Sequence, residues 1–297
     1  MDEDSIKIGS LSADDLITED FEIAGLPVAA SFSEEDVRDV FLPLLRFLSR
    51  RQKELGRRMF VFLAAPPGCG KSTLAAFLEK LSHSTISENA EQNTKELNAV
   101  QKAGGLQTTD ALQTESGMQS LTPVQAVGMD GFHHRAAYLK SHTTVRDGRS
   151  ILLDEIKGAP ETFDAERLAE KLREARSEET LGWPVYSRTQ HDVIEDAIRV
   201  TDSILLVEGN YLLLSSQPWK KIAEEFCDFS IYMYADENVL KKRLIERKIA
   251  SGHTRAEAES FYSFSDGRNA RLVLKERPEA DLTLRCADGR YYGAFSE

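Results

Sequence analysis

The spacing of apolar residues along this chain changes several times, and each change marks an element. Met59 to Ala64 is an unbroken apolar run, and so is Ile204 to Val207 after Ser203. Runs of this length predict strands buried on both faces of a sheet. Phe229 to Tyr234 predicts another strand, Val124 to Met129 one more, and Asp281 to Leu284 a last short one. Elsewhere the spacing is helical. Val37, Val40, Phe41, Leu44, Leu45 and Leu48 recur every three or four residues, after Ser33-Glu34-Glu35-Asp36 and before Gly56. A capping serine, an acidic first turn and a closing glycine fit a helix at that position. Thr73 to Leu81, Glu166 to Arg176 and Asp236 to about Ser251, with Asp164 before the second and Gly252 after the third, predict further helices. Strands alternating with helices imply an α/β fold, a mostly parallel central sheet with helices on both faces.

Two stretches lack this patterning. Residues 1–30 read as a polar, acidic lead with one apolar patch, Ile23 to Ala30. Between Ser82 and Thr122, Gln, Asn, Thr, Ser and Glu dominate, aromatic residues are absent and Gly104-Gly105 interrupts. Such a segment cannot bury much apolar surface. It is expected to be a flexible insert at about 84–121.

Charge narrows the range of partners. With 37 Lys and Arg against 49 Asp and Glu, the net charge is −12. That argues against nucleic acid and anionic membranes as partners, while leaving room for a local basic pocket. The acidic start, Met1-Asp2-Glu3-Asp4, does not look like a secretory signal, and no apolar run is long enough for a bilayer. Cys69, Cys227 and Cys286 are scattered, fitting neither a disulfide framework nor a zinc site. A cytoplasmic location is expected, and a homodimer is left open.

The chemistry concentrates where strands end. After the strand at Met59 comes Ala65-Pro66-Pro67-Gly68-Cys69-Gly70-Lys71-Ser72-Thr73, then a helix. Strand, glycine loop, Gly-Lys-Ser and helix form the phosphate-binding loop of nucleotide-dependent enzymes. Glycines let successive N–H groups face a polyphosphate, and the helix N-terminus adds positive potential. Pro67, Gly68, Cys69, Gly70, Lys71, Ser72 and Thr73 are therefore assigned to a nucleoside triphosphate, which the resemblance given below implies is ATP, with Lys71 also placed in catalysis and Ser72 as a Mg²⁺ ligand.

Two carboxylates follow other strands. In open parallel sheets, ligands bind beyond the carboxyl ends of the strands, so Asp130, Glu208 and the loop share one edge. Phosphoryl transfer needs a holder for the metal and a group to orient or deprotonate the attacking oxygen. Glu208 suits the metal with Ser72, and Asp130 suits the hydroxyl of an acceptor as general base. His133, Arg135 and Tyr138 follow Asp130; Lys157 opens the turn Lys157-Gly158-Ala159-Pro160; Tyr186 and Arg188 form a ring-plus-cation pair in a loop. These, with Tyr211, are the candidate acceptor-binding residues. In the Asp236 helix, Arg243 and Arg247 lie one turn apart on one face. They can close on a triphosphate and neutralise charge in the transition state, Arg243 as a catalytic residue and Arg247 toward ATP.

Together these residues resemble the phosphoribulokinase/uridine kinase family of P-loop kinases, which includes bacterial-type pantothenate kinases. The markers are Ala65 to Thr73, Met129-Asp130-Gly131-Phe132-His133-His134, Lys157 to Asp164, Val207 to Leu214, Pro218-Trp219 and the stretch around Asn269. The likeness is nearest to a subgroup described as candidate nucleoside or fructose-transport-associated kinases. The resemblance implies a P-loop NTPase of the nucleoside-monophosphate-kinase-like type, a three-layer sandwich. It implies ATP with Mg²⁺ and transfer of the γ-phosphate to a hydroxyl of a small metabolite: a sugar, a nucleoside or a pantothenate-like alcohol. It carries the base to Asp130, the strand-end glutamate to Glu208 and the lid arginines to Arg243 and Arg247. Uridine kinases usually have Asp-Ser-Phe-Tyr where this chain has Asp130-Gly131-Phe132-His133, which argues against uridine.

The expected domains are then 1–58, an acidic lead and an amphipathic helix packed on the core, and 59–297, a P-loop kinase domain carrying the insert. The competing reading is a nucleotide-dependent switch or assembly ATPase with no small-molecule acceptor. The chain has neither an Asn-Lys-x-Asp nor a Leu-Ser-Gly-Gly-Gln signature, which counts against GTPase switches and transporter ATPases.

Overall fold

The computed structural model describes residues 16–84, 121–276 and 279–296. The acidic residues 1–15 and nearly all of the 84–121 insert lie outside them.

The described chain opens not as a polar lead but as a β-hairpin, β1 (Leu16–Ile23) and β2 (Leu26–Ser33). Alternation explains it: Ile17, Phe21, Ala30 and Phe32 face the core while Asp20 and Glu22 face out. Ser33 then caps α1, a helical run over 34–55 that passes through a π-turn at Val37–Phe41. The Ser33 hydroxyl accepts from the Glu35 N–H at 3.2 Å, and Gly56 closes the run at φ 63°.

Strand β3 (Met59–Ala64) leads through the phosphate loop into α2, over 71–84. Next come β4 (Val124–Gly128), a 3-10 turn at Met129–Phe132 and α3 (Ala136–Ser141). A small hairpin, β5 (Thr143–Arg146) and β6 (Arg149–Leu152), precedes α4 (Ala165–Ser177), whose first turn is capped by Asp164. A third hairpin, β7 (Leu181–Ser187) and β8 (Asp192–Val200), precedes β9 (Ile204–Gly209). Then follow α5 (Trp219–Phe226), β10 (Phe229–Tyr234), α6 (Glu237–Ala250), α7 (Arg255–Phe261) and α8 (Gly267–Lys275). Strands β11 (Leu282–Ala287) and β12 (Arg290–Phe295) end the described chain.

Six strands form the central sheet in the order β12-β11-β10-β3-β9-β4. All neighbours are parallel except β11 and β12. The apolar runs follow from this placement, because the inner strands are covered on both faces. In β3, Met59, Val61 and Leu63 enter the core under α1 and α2, while Phe60, Phe62 and Ala64 enter the core under α4 and α5. Ile204 and Leu206 of β9 alternate with Leu205 and Val207 in the same way. Each large side chain so buried contributes about 1.5–3 kcal/mol relative to exposure. This rigid double-faced sheet sets the ends of β3, β9 and β4 side by side, with Gly128 and Leu63 flanking Glu208 in register.

Candidate active site

The phosphate loop curls because Gly68 and Gly70 adopt φ of 81° and 96°, the left-handed region that favours glycine. At Gly68 there is also no room for a side chain: a Cβ would lie 2.9 Å from Leu244 of α6. Cys69 is buried within the loop, and burial pushes its thiol up to about 12, so it stays protonated and serves packing. Lys71 and Ser72 open α2, where its unpaired N–H groups face outward.

Glu208 stands at the end of β9 against both. Its carboxylate accepts from the Ser72 hydroxyl at 2.8 Å and lies 3.7 Å from the Lys71 ammonium. Burial, chiefly, raises its pKa, with Lys71 and Ser72 opposing and Asp130 adding to the rise. A hydroxyl and a carboxylate oxygen side by side are hard donors, suited to a Mg²⁺ ion that keeps water and phosphate oxygens as its other ligands. A divalent cation there would also relieve the cost of burying the carboxylate.

Asp130 lies in the 3-10 turn after β4, and its backbone is held from several sides. The His133 ring sits 2.9 Å from the Asp130 carbonyl. A carbonyl only accepts, so Nδ1 carries the proton. Burial lowers the pKa of His133, keeping the ring neutral. Its faces pack on Phe163 at 3.9 Å and Tyr186 at 5.1 Å. From the other side Trp183 of β7 donates to the Gly128 carbonyl at 3.0 Å. β7 comes so near that a Cβ on Gly131 would lie 2.0 Å from the Pro184 carbonyl oxygen. The glycine after Asp130 is thus required by the approach of the third hairpin.

These elements enclose a cavity of about 610 Å³. Pro67, Lys71, Ser72, Asp130, His133, Lys157, Tyr186, Arg188 and Arg247 all line it. The sequence thus brings to one place residues that lie up to 180 positions apart (Pro67 and Arg247). Lys157 donates to the His191 carbonyl at 3.1 Å and lies over the Tyr186 ring. Arg188 makes no hydrogen bond or ion pair among the described residues. Arg247 faces Asp266 at 4.0 Å; removal of its charge from water is the main cause of its lowered pKa, with Asp266 opposing the shift and Arg188 adding to it. A cationic surface of this kind stands ready for an anionic ligand.

Other expected residues fall outside the cavity lining. Arg135 turns to β8, bonding the Val193 carbonyl and Glu195, because the β7–β8 hairpin supplies partners beside it. Tyr138 stacks between His134 and His142 on the surface of α3. Tyr211 is fully buried and donates to the Gly158 carbonyl at 2.5 Å, sharing that oxygen with Asn269 at 3.2 Å. It fixes the turn that presents Lys157. Arg243 reaches the Gly68 and Cys69 carbonyls at 3.5 and 3.4 Å, bracing the phosphate loop from behind. Tyr186 is in strand β7 rather than a loop, and Arg188 in the turn that follows.

The cavity also contains residues that the sequence reading leaves without a role: Asn210, Lys248, Phe261, Asp266 and Asn269. The side-chain oxygen of Asn210 is buried with no hydrogen-bond partner among the described residues. Asn210 directly follows Glu208-Gly209, so its position beyond a strand end was the available signal. Asp266 comes from a second π-turn, at Tyr262–Asp266, and Asn269 from α8, where no local pattern points to a site.

The fold and site define a P-loop nucleotide-binding protein of the kinase type. The chain belongs to the phosphoribulokinase/uridine kinase family, whose model matches residues 60–285. This is a family of P-loop kinases that act on small metabolites and use ATP and Mg²⁺. The chain is 39% identical over 272 residues to the uncharacterized protein YggC of Escherichia coli K12, covering 91% of this chain and 96% of that one. It is 28% identical over 233 residues to a pantothenate kinase of Lactococcus lactis, spanning 72% of this chain and 62% of the kinase. A solved structure of a candidate fructose transport system kinase from Silicibacter sp. TM1040 is similar, with a TM-score of 0.58 at 27% identity, covering 80% of this chain and 98% of that one. No helix among the described residues is long and apolar enough to cross a membrane.

Proposed function

We propose that this protein transfers the γ-phosphate of ATP to a hydroxyl of a small metabolite such as a sugar, a nucleoside or a pantothenate-like alcohol. The observation that carries the reading is the convergence of Lys71, Ser72 and Asp130 on one cavity, with Glu208 held against Lys71 and Ser72, from the ends of three neighbouring parallel strands. Backbone N–H groups of the loop and Lys71 bind the phosphates. Ser72 and Glu208 hold Mg²⁺, which when bound offsets the phosphate charge. Asp130 accepts the hydroxyl proton as the acceptor oxygen bonds to the γ-phosphorus and the bond to the β–γ bridging oxygen breaks. Arg247 faces the charge that spreads onto the γ-phosphate oxygens. His133, Lys157, Tyr186 and Arg188 contact the acceptor. Tyr211 and Arg243 act one step back, holding the Gly158 turn and the phosphate loop, and Arg135 and Tyr138 have no direct part.

The test is ATP consumption with Mg²⁺ across a panel of sugars, nucleosides and vitamin precursors, in neutral and in carboxylated or phosphorylated forms. Consumption that depends on one acceptor class, with a phosphomonoester product, is expected. ATP loss independent of every acceptor would favour the switch or assembly ATPase instead.

A further inference from the structure

The β1–β2 hairpin lies outside the segment that matches the family, yet it reaches the active site. Its base is fixed. Phe32 stacks on Phe77 of α2 with ring centroids 3.8 Å apart, and Glu19 pairs with Lys80 of the same helix. From Lys80 back to Ser72, α2 spans about 12 Å at 1.5 Å per residue. From Glu19 to Ile23, β1 spans about 13 Å at 3.3 Å per residue. A hairpin lying along α2 therefore ends level with Ser72. Its turn is tight and defined: Ile23 pairs with Leu26 around Ala24 and Gly25, both at positive φ (53° and 81°). Leu26 emerges from this tip as an exposed apolar side chain and lines the main cavity with Lys71 and Asp130. Glu22, Ile23 and Ala24 line an adjoining cleft of about 240 Å³ that also holds Ser72, Asp130 and Glu208. The tip thus divides the space over the transfer site.

We propose that the tip of this hairpin, with Leu26 at its end, is the wall that shuts water out of the transfer site and sets the size of the acceptor. The inference rests on the kinase reading. Water is the acceptor in greatest excess, and Asp130 serves it as readily as an alcohol. In that side reaction the water oxygen bonds to the γ-phosphorus, the bond to the β–γ bridging oxygen breaks, and Asp130 takes the water proton. ADP and inorganic phosphate leave. Only exclusion selects against it. Leu26 offers a potential water no hydrogen bond, and its side chain takes up cavity space that a smaller residue would leave to water.

The full chain, Leu26→Ala and Leu26→Trp are compared in acceptor-free ATP hydrolysis with Mg²⁺, and in binding of AMPPNP with Mg²⁺ by calorimetry. Leu26→Ala is expected to raise hydrolysis by about threefold or more, a factor of ten being about 1.4 kcal/mol of barrier, with AMPPNP affinity unchanged. Leu26→Trp should bring hydrolysis to or below the wild-type rate and, on the acceptor panel, shift preference to smaller alcohols. Unchanged hydrolysis and unchanged acceptor ranking in both variants, with AMPPNP still bound, would overturn the wall and leave the kinase standing. A wild-type chain that does not bind AMPPNP would remove both.

Discussion

Asp130 and Glu208 are both strand-end acids, but their surroundings differ. Glu208 is sunk between Ser72 and Lys71, where a metal is the natural third partner. Asp130 faces the cavity, its carbonyl held by His133 and the Gly128 carbonyl before its turn held by Trp183. Asp130→Asn should therefore keep nucleotide binding and lower kcat by about 10²–10⁴-fold, the usual worth of a general base; single-turnover phosphate transfer beside AMPPNP titration separates the two effects. For Glu208, burial favours the neutral acid, so protons compete with the metal at a higher pH than for an ordinary glutamate near 4.5. Affinity for Mg²⁺ with nucleotide should weaken as pH falls, starting above that value. Glu208→Gln should weaken it at every pH and flatten the profile. A wild-type profile in that variant would mean the metal is held elsewhere.

Elements place these residues, and one contact can be tested for that role. Gly131 is where β7 presses on the Asp130 turn, so Gly131→Ala drives a methyl group into the Pro184 carbonyl. Overpacking of this kind costs about 1–3 kcal/mol. A lowered melting temperature and a raised acceptor KM are expected together, since Tyr186 lies two residues beyond Pro184 in β7. The inner strands, the phosphate loop and the two acids were legible in the sequence because burial on both faces and strand-end chemistry leave local marks. The hairpins were less so. Asp147-Gly148 and Asp288-Gly289 are both at positive φ and are turn dipeptides that signal β5–β6 and β11–β12. The β7–β8 turn instead uses His191 at positive φ, without a glycine, and gives no such sign. Asn269 was visible only as part of a family resemblance, since its role depends on a chain fold that brings α8 against Gly158.

Across the whole molecule, ligand binding and stability are linked. A nucleotide that binds only the folded chain adds about 2.7 kcal/mol at one hundred times its Kd. Thermal unfolding with AMPPNP and Mg²⁺ should shift upward by several degrees, and Lys71→Ala should abolish both the shift and turnover while unfolding near the wild-type temperature without ligand. Loss of the unliganded fold in that variant would make Lys71 structural instead. The sheet topology has a further consequence. None of the hairpins β1–β2, β5–β6 and β7–β8 joins the six-stranded sheet, whose parallel strands carry the phosphate loop, Glu208 and the Asp130 turn. In the proposed function, Leu26 and Tyr186 of the acceptor pocket thereby stand on hydrogen-bonded ladders separate from the one that carries the transfer chemistry. Grafting a different ribbon in place of one of these hairpins is therefore expected to change acceptor preference while leaving nucleotide binding intact, which the acceptor panel and AMPPNP titration would check.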